Sequence, residues 1–126
     1  MKINDPAVLA EVEAAFAAYE AALTGNDVAT LDAIFRKAPE TLRYGVAENL
    51  YGHDEIAAFR SARSPVGLER TLERTVITTY GDTAATANTM FRRDSMVGKV
   101  GRQSQTWVKF AEGWRIVSAH VSIIPE

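Results

Sequence analysis

The chain has 126 residues, no cysteine and a formal net charge of −2 at neutral pH. This length is typical of one domain with a core of its own, so we expect a single domain over 1–126. The absence of cysteine excludes disulfides and thiolate nucleophiles, and the slight negative charge argues against a nucleic-acid partner.

The first segment of the chain has a strong helical pattern. Asn4 or Asp5 can cap a helix, and Pro6 suits its first position. Apolar residues then recur at spacings of three and four, at Leu9, Val12, Phe16, Tyr19 and Leu23. This start is not a secretory signal, and no apolar run approaches the roughly 20 residues of a membrane span. We therefore expect a cytoplasmic protein with no membrane partner.

Two shorter helices and a hairpin are predicted next. Asp27 or Thr30 begins a second helix, which ends before Pro39, and Asp54 is expected to cap a third. Between these helices, the extended runs 40–45 and 47–51 meet at Gly45 and predict a hairpin. Residues 61–69 are expected to form a loop.

The second half of the chain predicts a series of strands. Extended runs cover 70–80, 83–93, 102–110 and 114–124, with turn signals between them. Helices followed by an antiparallel meander are typical of an α+β fold.

The last two strands suggest where a pocket lies. If Glu112-Gly113 forms the turn, Trp107 pairs with Ser118, Gln105 with His120 and Gln103 with Ser122. Alternation then places one set of side chains on a single face: Gln103, Gln105, Trp107, Trp114, Ile116, Ser118, His120 and Ser122. An apolar surface with a few converging polar groups is typical of a small-molecule pocket. Because the other face is also partly apolar, we expect it to form a homodimer interface.

This arrangement resembles the SnoaL-like superfamily, whose cone-shaped α+β, cystatin-like fold is shared with ketosteroid isomerase and nuclear transport factor. The similarity includes the closing strand, GWRIV at 113–117 and AHVS at 119–122. The resemblance implies three N-terminal helices packed on a curved antiparallel sheet, but it implies no particular activity.

Three further stretches resemble the AtzH-like family: RYGVAENLYG at 43–52, PVGL at 65–68 and GRQSQTW at 101–107. The family includes a decarboxylating amidohydrolase that converts 1,3-dicarboxyurea to allophanate in cyanuric acid catabolism, and an oxalurate-catabolism protein. The resemblance implies Tyr19 and Arg43 as the catalytic pair. The substrate stays open between a dicarboxyurea and an oxalurate-like ureide.

Other residues are candidates for binding such a substrate. Arg63 and Arg70 could anchor a second carboxylate, and Asn49 could bind a urea carbonyl. The predicted pocket face adds three further candidates, Gln105, His120 and Ser122. Glu48 is the nearest carboxylate, but alternation places it opposite Asn49, so it is not predicted in the site. Each residue also has a structural interpretation, such as a core role for Tyr19 on its apolar stripe.

The sequence favours chemistry without a cofactor or a covalent intermediate. It has no H-x-H or H-E-x-x-H spacing that would indicate a metal site and no G-x-S-x-G motif. We therefore expect a metal-free hydrolase in which Arg43 stabilises negative charge and Tyr19 positions water or a proton. The alternatives are a ureide-binding protein without catalysis and an acid–base isomerase or dehydratase.

Overall fold

The computed structural model describes residues 1–126, which form three helices and one six-stranded sheet. The helices are α1 (Pro6–Thr24), α2 (Val28–Ile34) and α3 (His53–Ala62). The strands are β1 (Leu42–Tyr44), β2 (Asn49–Tyr51), β3 (Thr71–Tyr80), β4 (Ala84–Arg92), β5 (Lys99–Phe110) and β6 (Gly113–Pro125). The predicted α+β class is confirmed.

Two of the predicted helix starts agree with the structure. The Asp5 side chain accepts a hydrogen bond from the Val8 amide and caps α1, and Asp27 caps α2 through Thr30. The prediction that Asp54 caps α3 is wrong. Gly52 occupies that position with a φ of 86°, and Asp54 lies within the first turn. None of the three helices is long and apolar enough to cross a membrane.

The sheet is curved and open, in the order β2-β1-β6-β5-β4-β3. The predicted β1–β2 hairpin and the β3–β6 meander are antiparallel, as expected. However, β1 pairs with β6 in parallel, with Arg43 opposite Ala119. This long-range pairing brings the early hairpin beside the last strand.

The predicted register of the last hairpin is wrong. Its turn is Ala111-Glu112, so that Phe110 pairs with Gly113, and Trp107 then pairs with Ile116. Thr106 pairs with Ser118, which leaves Val117 as an extra residue in a β-bulge. Beyond the bulge, Gln105 pairs with Ala119 and Gln103 with Val121. This one-residue slip exchanges the faces of all the side chains from 118 onwards.

The two faces of the sheet have different environments. The inner face packs on the helices and includes Gln103, Gln105 and Trp107, which are all buried. The outer face includes Arg102, Ser104 and Thr106, which are all exposed. The core combines the apolar sides of α1 and α2 with inner-face residues such as the fully buried Trp107 and Ile116.

Candidate functional site

A cavity of about 220 Å³ lies between α1, the β1–β2 hairpin, the end of α3 and the inner face of the sheet. Four arginines contribute to its wall: Arg43, Arg63, Arg70 and Arg93. We call this hollow the arginine cavity. Its volume suits a small metabolite, since a water molecule in the liquid occupies about 30 Å³.

Tyr19 lies on the buried side of α1 and lines the arginine cavity. Its ring packs against Phe35 with a centroid separation of 6.3 Å, so the phenol is anchored by the core. Tyr19 thus belongs both to the apolar stripe of α1 and to the cavity wall. The structure brings it to the same cavity as Arg43, as the family resemblance implied.

Arg43 points inward from β1 and is paired with Glu48. Its Nη1 donates to Glu48 Oε1 at 2.8 Å, and both side chains are largely buried. A Cβ atom at Gly45 would lie 1.6 Å from the same oxygen, so a larger residue there would displace the Glu48 carboxylate from its present position. Glu48 is therefore a site residue that the sequence analysis set aside. Alternation placed it correctly opposite Asn49, but the cavity is on the Glu48 side.

Arg70 is held in place by two neighbouring side chains. It forms a two-pronged ion pair with Glu20 of α1, and its Nη2 donates to Gln103 Oε1 at 2.9 Å. The guanidinium also lies over the Phe91 ring, 4.6 Å from its centroid. The loop before β3 therefore supplies a fixed cation to the cavity wall, but its charge is already paired with Glu20.

Arg63 and Arg93 have no carboxylate partner. Arg63 follows the last turn of α3, and Arg93 directly follows β4. Burial lowers the pKa of Arg63, and the positive charges of Arg60 and Arg43 lower it further. The pKa of Arg93 is likewise lowered by burial and then by Arg70 and Arg63. Arg93 was not predicted, because only the pairing of β3 with β4, with Thr71 opposite Arg92, brings it beside the loop that carries Arg70.

Three predicted binding residues lie outside the cavity. Asn49, His120 and Ser122 all lie on the outer face of the sheet, and Asn49 and His120 are exposed. The His120 ring contacts the Tyr44 ring edge-on at 5.8 Å, and Ser122 accepts a hydrogen bond from Arg102. The β-bulge at Val117 causes the error for His120 and Ser122, because it turns Ala119 and Val121 inward instead.

Gln105 is on the inner face, as predicted, but it does not line the arginine cavity. It is 2% exposed, and its Oε1 accepts a hydrogen bond from Trp107 Nε1 at 3.1 Å. Gln105 therefore links the tryptophan core to the row of residues that includes Ala119 and Arg43. Gln103, two residues away on the same face, lines the cavity instead of Gln105.

The cavity offers guanidinium, phenol, carboxylate and amide groups. No group of three or more histidine, aspartate and glutamate side chains is arranged to hold a metal ion. Guanidinium groups bind carboxylates through paired, directional hydrogen bonds, and a nearby phenol can donate or orient a proton. The arrangement therefore suits a small carboxylated ligand and chemistry in which charge develops on oxygen.

Two solved structures are similar to this chain over nearly its whole length. A protein of unknown function of the DUF3225 family from Pectobacterium atrosepticum is 59% identical, with a TM-score of 0.95 over 97% of this chain and 94% of its own. A cystatin-like fold protein from Burkholderia xenovorans is 46% identical, with a TM-score of 0.96 over 100% and 98%.

More distant similarity extends to a nuclear transport factor 2-like superfamily protein from Salmonella enterica, at 27% identity and a TM-score of 0.73 over 92% and 90% of the two chains. No curated protein matches the chain significantly. The family model described as AtzH-like matches residues 1–126. The chain therefore belongs to the AtzH-like family, within the SnoaL-like superfamily.

Proposed function

We propose that this protein is a metal-free decarboxylating amidohydrolase that converts 1,3-dicarboxyurea to allophanate in cyanuric acid catabolism. The observation that carries this proposal is the meeting of Tyr19 and Arg43 in one small cavity that also holds three further arginines. Membership of the AtzH-like family supports the same reaction class. A substrate with two carboxylates suits a cavity in which cations outnumber carboxylates.

The proposed reaction breaks the bond between a urea nitrogen and a terminal carboxylate carbon. Water adds to that carbon, which leaves as bicarbonate, and the nitrogen gains a proton and becomes the free amide of allophanate. Arg43 binds the carboxylate and stabilises the negative charge that develops on its oxygens. Tyr19 orients the water or passes a proton to the departing nitrogen. No covalent intermediate on the protein is required.

Glu48 has a positioning role in this scheme. Its ion pair with Arg43 leaves the remaining guanidinium donors of that side chain for a ligand. Its location inside the cavity also favours a second candidate function, because a carboxylate in the pocket could serve an acid–base isomerase or dehydratase. Glu48→Gln distinguishes the two functions. It keeps a hydrogen-bonding partner for Arg43 but would abolish catalysis by a carboxylate base.

The catalytic assignment is tested by steady-state assay of Arg43→Ala and Tyr19→Phe on freshly prepared dicarboxyurea. We expect each to lower kcat/KM by about 10²–10³-fold, as expected for removal of a group that stabilises the transition state. Arg102→Gln, on the outer face, is the matched control, and prior treatment with a chelator should leave turnover unchanged. Near-normal turnover in both cavity variants would overturn the assignment.

The accessory alternative is a protein that binds an oxalurate-like ureide without catalysis. The same cavity would serve it, so turnover and binding must be measured separately. Calorimetry that shows tight binding of oxalurate, with no turnover of either ureide by the unmodified protein, would favour that function.

We also propose that the protein is a homodimer formed through the outer face of the sheet. Tyr51 and Val76 on this face are 55% and 57% exposed, which is high for large apolar side chains on a folded domain. Sedimentation equilibrium should give twice the mass of one chain. A Val76→Lys variant should shift the equilibrium to the monomer, and a monomeric unmodified protein would contradict the proposal.

A further inference from the structure

Two arginines of the cavity have hydrogen-bond donors that nothing in the protein satisfies. The Nε and one Nη of Arg63 and the Nε of Arg93 are buried and have no partner. The Nε2 of Gln103, in the same cavity wall, is also buried and unpaired. Removing such a donor from water without a partner is unfavourable, and more so when it is charged. Because these four donors belong to residues of one cavity wall, a ligand bound in the cavity would satisfy them.

The charges around the cavity define what that ligand is. Arg43 is paired with Glu48 and Arg70 with Glu20, whereas Arg63 and Arg93 have no carboxylate partner. Two half-buried positive charges in the cavity wall therefore have no ion-pair partner. A ligand with two negative charges would balance them, and a ligand with one would leave a charge unpaired.

Arg63 and Arg93 line the same cavity as Arg43 and Gln103. The Arg93 guanidinium stacks over the Phe91 ring at 5.0 Å and lies near the Leu68 carbonyl, so packing fixes its position before a ligand binds.

We propose that Arg63 and Arg93 form a second anion subsite, which makes the cavity specific for dicarboxylates over monocarboxylates of the same length. One carboxylate of the ligand binds Arg43 beside Tyr19, and the other binds Arg63 and Arg93, with Gln103 donating to it. This subsite deepens the proposed function and rests on it. It selects 1,3-dicarboxyurea over oxalurate, which has one carboxylate, and it releases allophanate because the product has lost one of its two charges.

The test uses stable probes rather than the labile substrate. Glutarate has the same number of chain atoms between its carboxylates as dicarboxyurea, and pentanoate is the matching monocarboxylate. By titration calorimetry, Arg93→Gln and Arg63→Gln should each weaken glutarate binding by about tenfold or more. Their pentanoate binding should stay within about twofold of the unmodified protein. Arg93→Lys should recover part of the glutarate affinity.

Arg102→Gln is the control, because Arg102 lies on the outer face next to Gln103 in sequence. Circular dichroism melts establish that each variant is folded, and if Arg93→Gln is not, Arg63→Gln decides the question. Equal weakening of glutarate and pentanoate, or no weakening of either, would overturn the subsite.

The outcomes for the subsite and for catalysis are separable. Selective loss of glutarate binding in the arginine variants supports the subsite, whether or not the protein turns over a carboxyurea. Absence of turnover would contradict only the catalytic proposal. Unchanged glutarate binding in Arg63→Gln and Arg93→Gln, together with turnover of dicarboxyurea by the unmodified protein, would contradict only the subsite.

Discussion

The inner and outer faces of the sheet are built from the same strands but carry different chemistry. Along β5, Gln103, Gln105 and Trp107 are buried on the inner face, whereas Arg102, Ser104 and Thr106 between them are exposed. Polar side chains occur on both faces. Only those on the inner face are forced to find partners, because water is excluded there. A glutamine or arginine on a strand of this protein can therefore be assigned to the binding site only when it is known which face of the sheet it lies on.

The comparison also shows how much depends on a single residue. Val117 forms the β-bulge that turns Ala119 and Val121 toward the helices and His120 toward the outside. Without it, His120 and Ser122 would face the helices, and Ala119 and Val121 would lie on the outer face. The position of the cavity thus follows from a local irregularity in one strand.

The largest expected contrast is between Trp107→Ala and Thr106→Ala, two neighbours on opposite faces. Trp107 is fully buried, and loss of its ring should lower the free energy of unfolding by about 3–5 kcal/mol. Thr106 is exposed, so its variant should stay within about 0.5 kcal/mol. Urea denaturation measures both. Similar losses for the two variants would show that the two faces do not differ in packing at this point of β5.

Gly101→Ala should have the next largest effect. A Cβ atom at this position would lie 2.2 Å from the Phe91 ring, which carries Arg70 and Arg93 on its faces. Displacement of the ring should cost about 1–3 kcal/mol of stability and weaken glutarate binding as well. Ser104→Ala, on the outer face, is the control. A stable variant with normal binding would show that the Phe91 ring is free to move.

Gln103→Ala and His120→Ala compare an observed cavity residue with a predicted one. Gln103 accepts a hydrogen bond from the charged Arg70 side chain. Loss of this bond in Gln103→Ala should raise the KM for dicarboxyurea about tenfold. His120→Ala should leave KM within about twofold, because the ring lies on the outer face. Steady-state kinetics measures both variants. A raised KM for His120→Ala with an unchanged KM for Gln103→Ala would mean that His120 faces the cavity, as the sequence predicted.

The smallest expected effect is on the stability of the protein at acid pH, through the Asp27 cap of α2. Hydrogen bonds from the Thr30 side chain and then its amide lower the pKa of Asp27 below its ordinary value of 3.8. The cap therefore contributes stability above that value, and the contribution is lost as the pH falls through the lowered pKa. Asp27→Asn should keep the cap but reduce the loss of stability between about pH 7 and about pH 3, measured by urea midpoints. An identical loss in both proteins would contradict this.

Local patterns along the chain predicted most of the fold. The apolar stripe of α1, the caps at Asp5 and Asp27 and the alternation in β3 to β6 all depend on neighbours a few residues away, so they can be recognised in one sequence. The capping of α3 was wrong because Gly52, with its positive φ, begins that helix without a side-chain cap. The parallel pairing of β1 with β6 has no local signal and was not predicted.

The candidate site was only partly predictable for the same reason. Tyr19 and Arg43 came from the family resemblance, and the loop arginines from their residue type. Arg93 and Glu48 required knowledge of which face the cavity occupies. His120 and Ser122 were assigned to the site by an alternation that the bulge interrupts, whereas Asn49 was assigned for its amide, and β2 places it on the outer face.

The sequence by itself determined the fold class, the order of the elements and the number of arginines, because each depends on composition or on short-range periodicity. It also contains the contiguous stretches at 43–52, 65–68 and 101–107 that resemble the AtzH-like family. The tertiary structure alone decided which of these side chains meet. It did so through the bulge at Val117, the β1–β6 pairing and the ion pairs of Arg43 and Arg70, which leave Arg63 and Arg93 unpaired. The physical reason is that the burial and the charge balance of these arginines depend on the other residues of the cavity wall. Those residues are distant in sequence and come together only when the chain has folded.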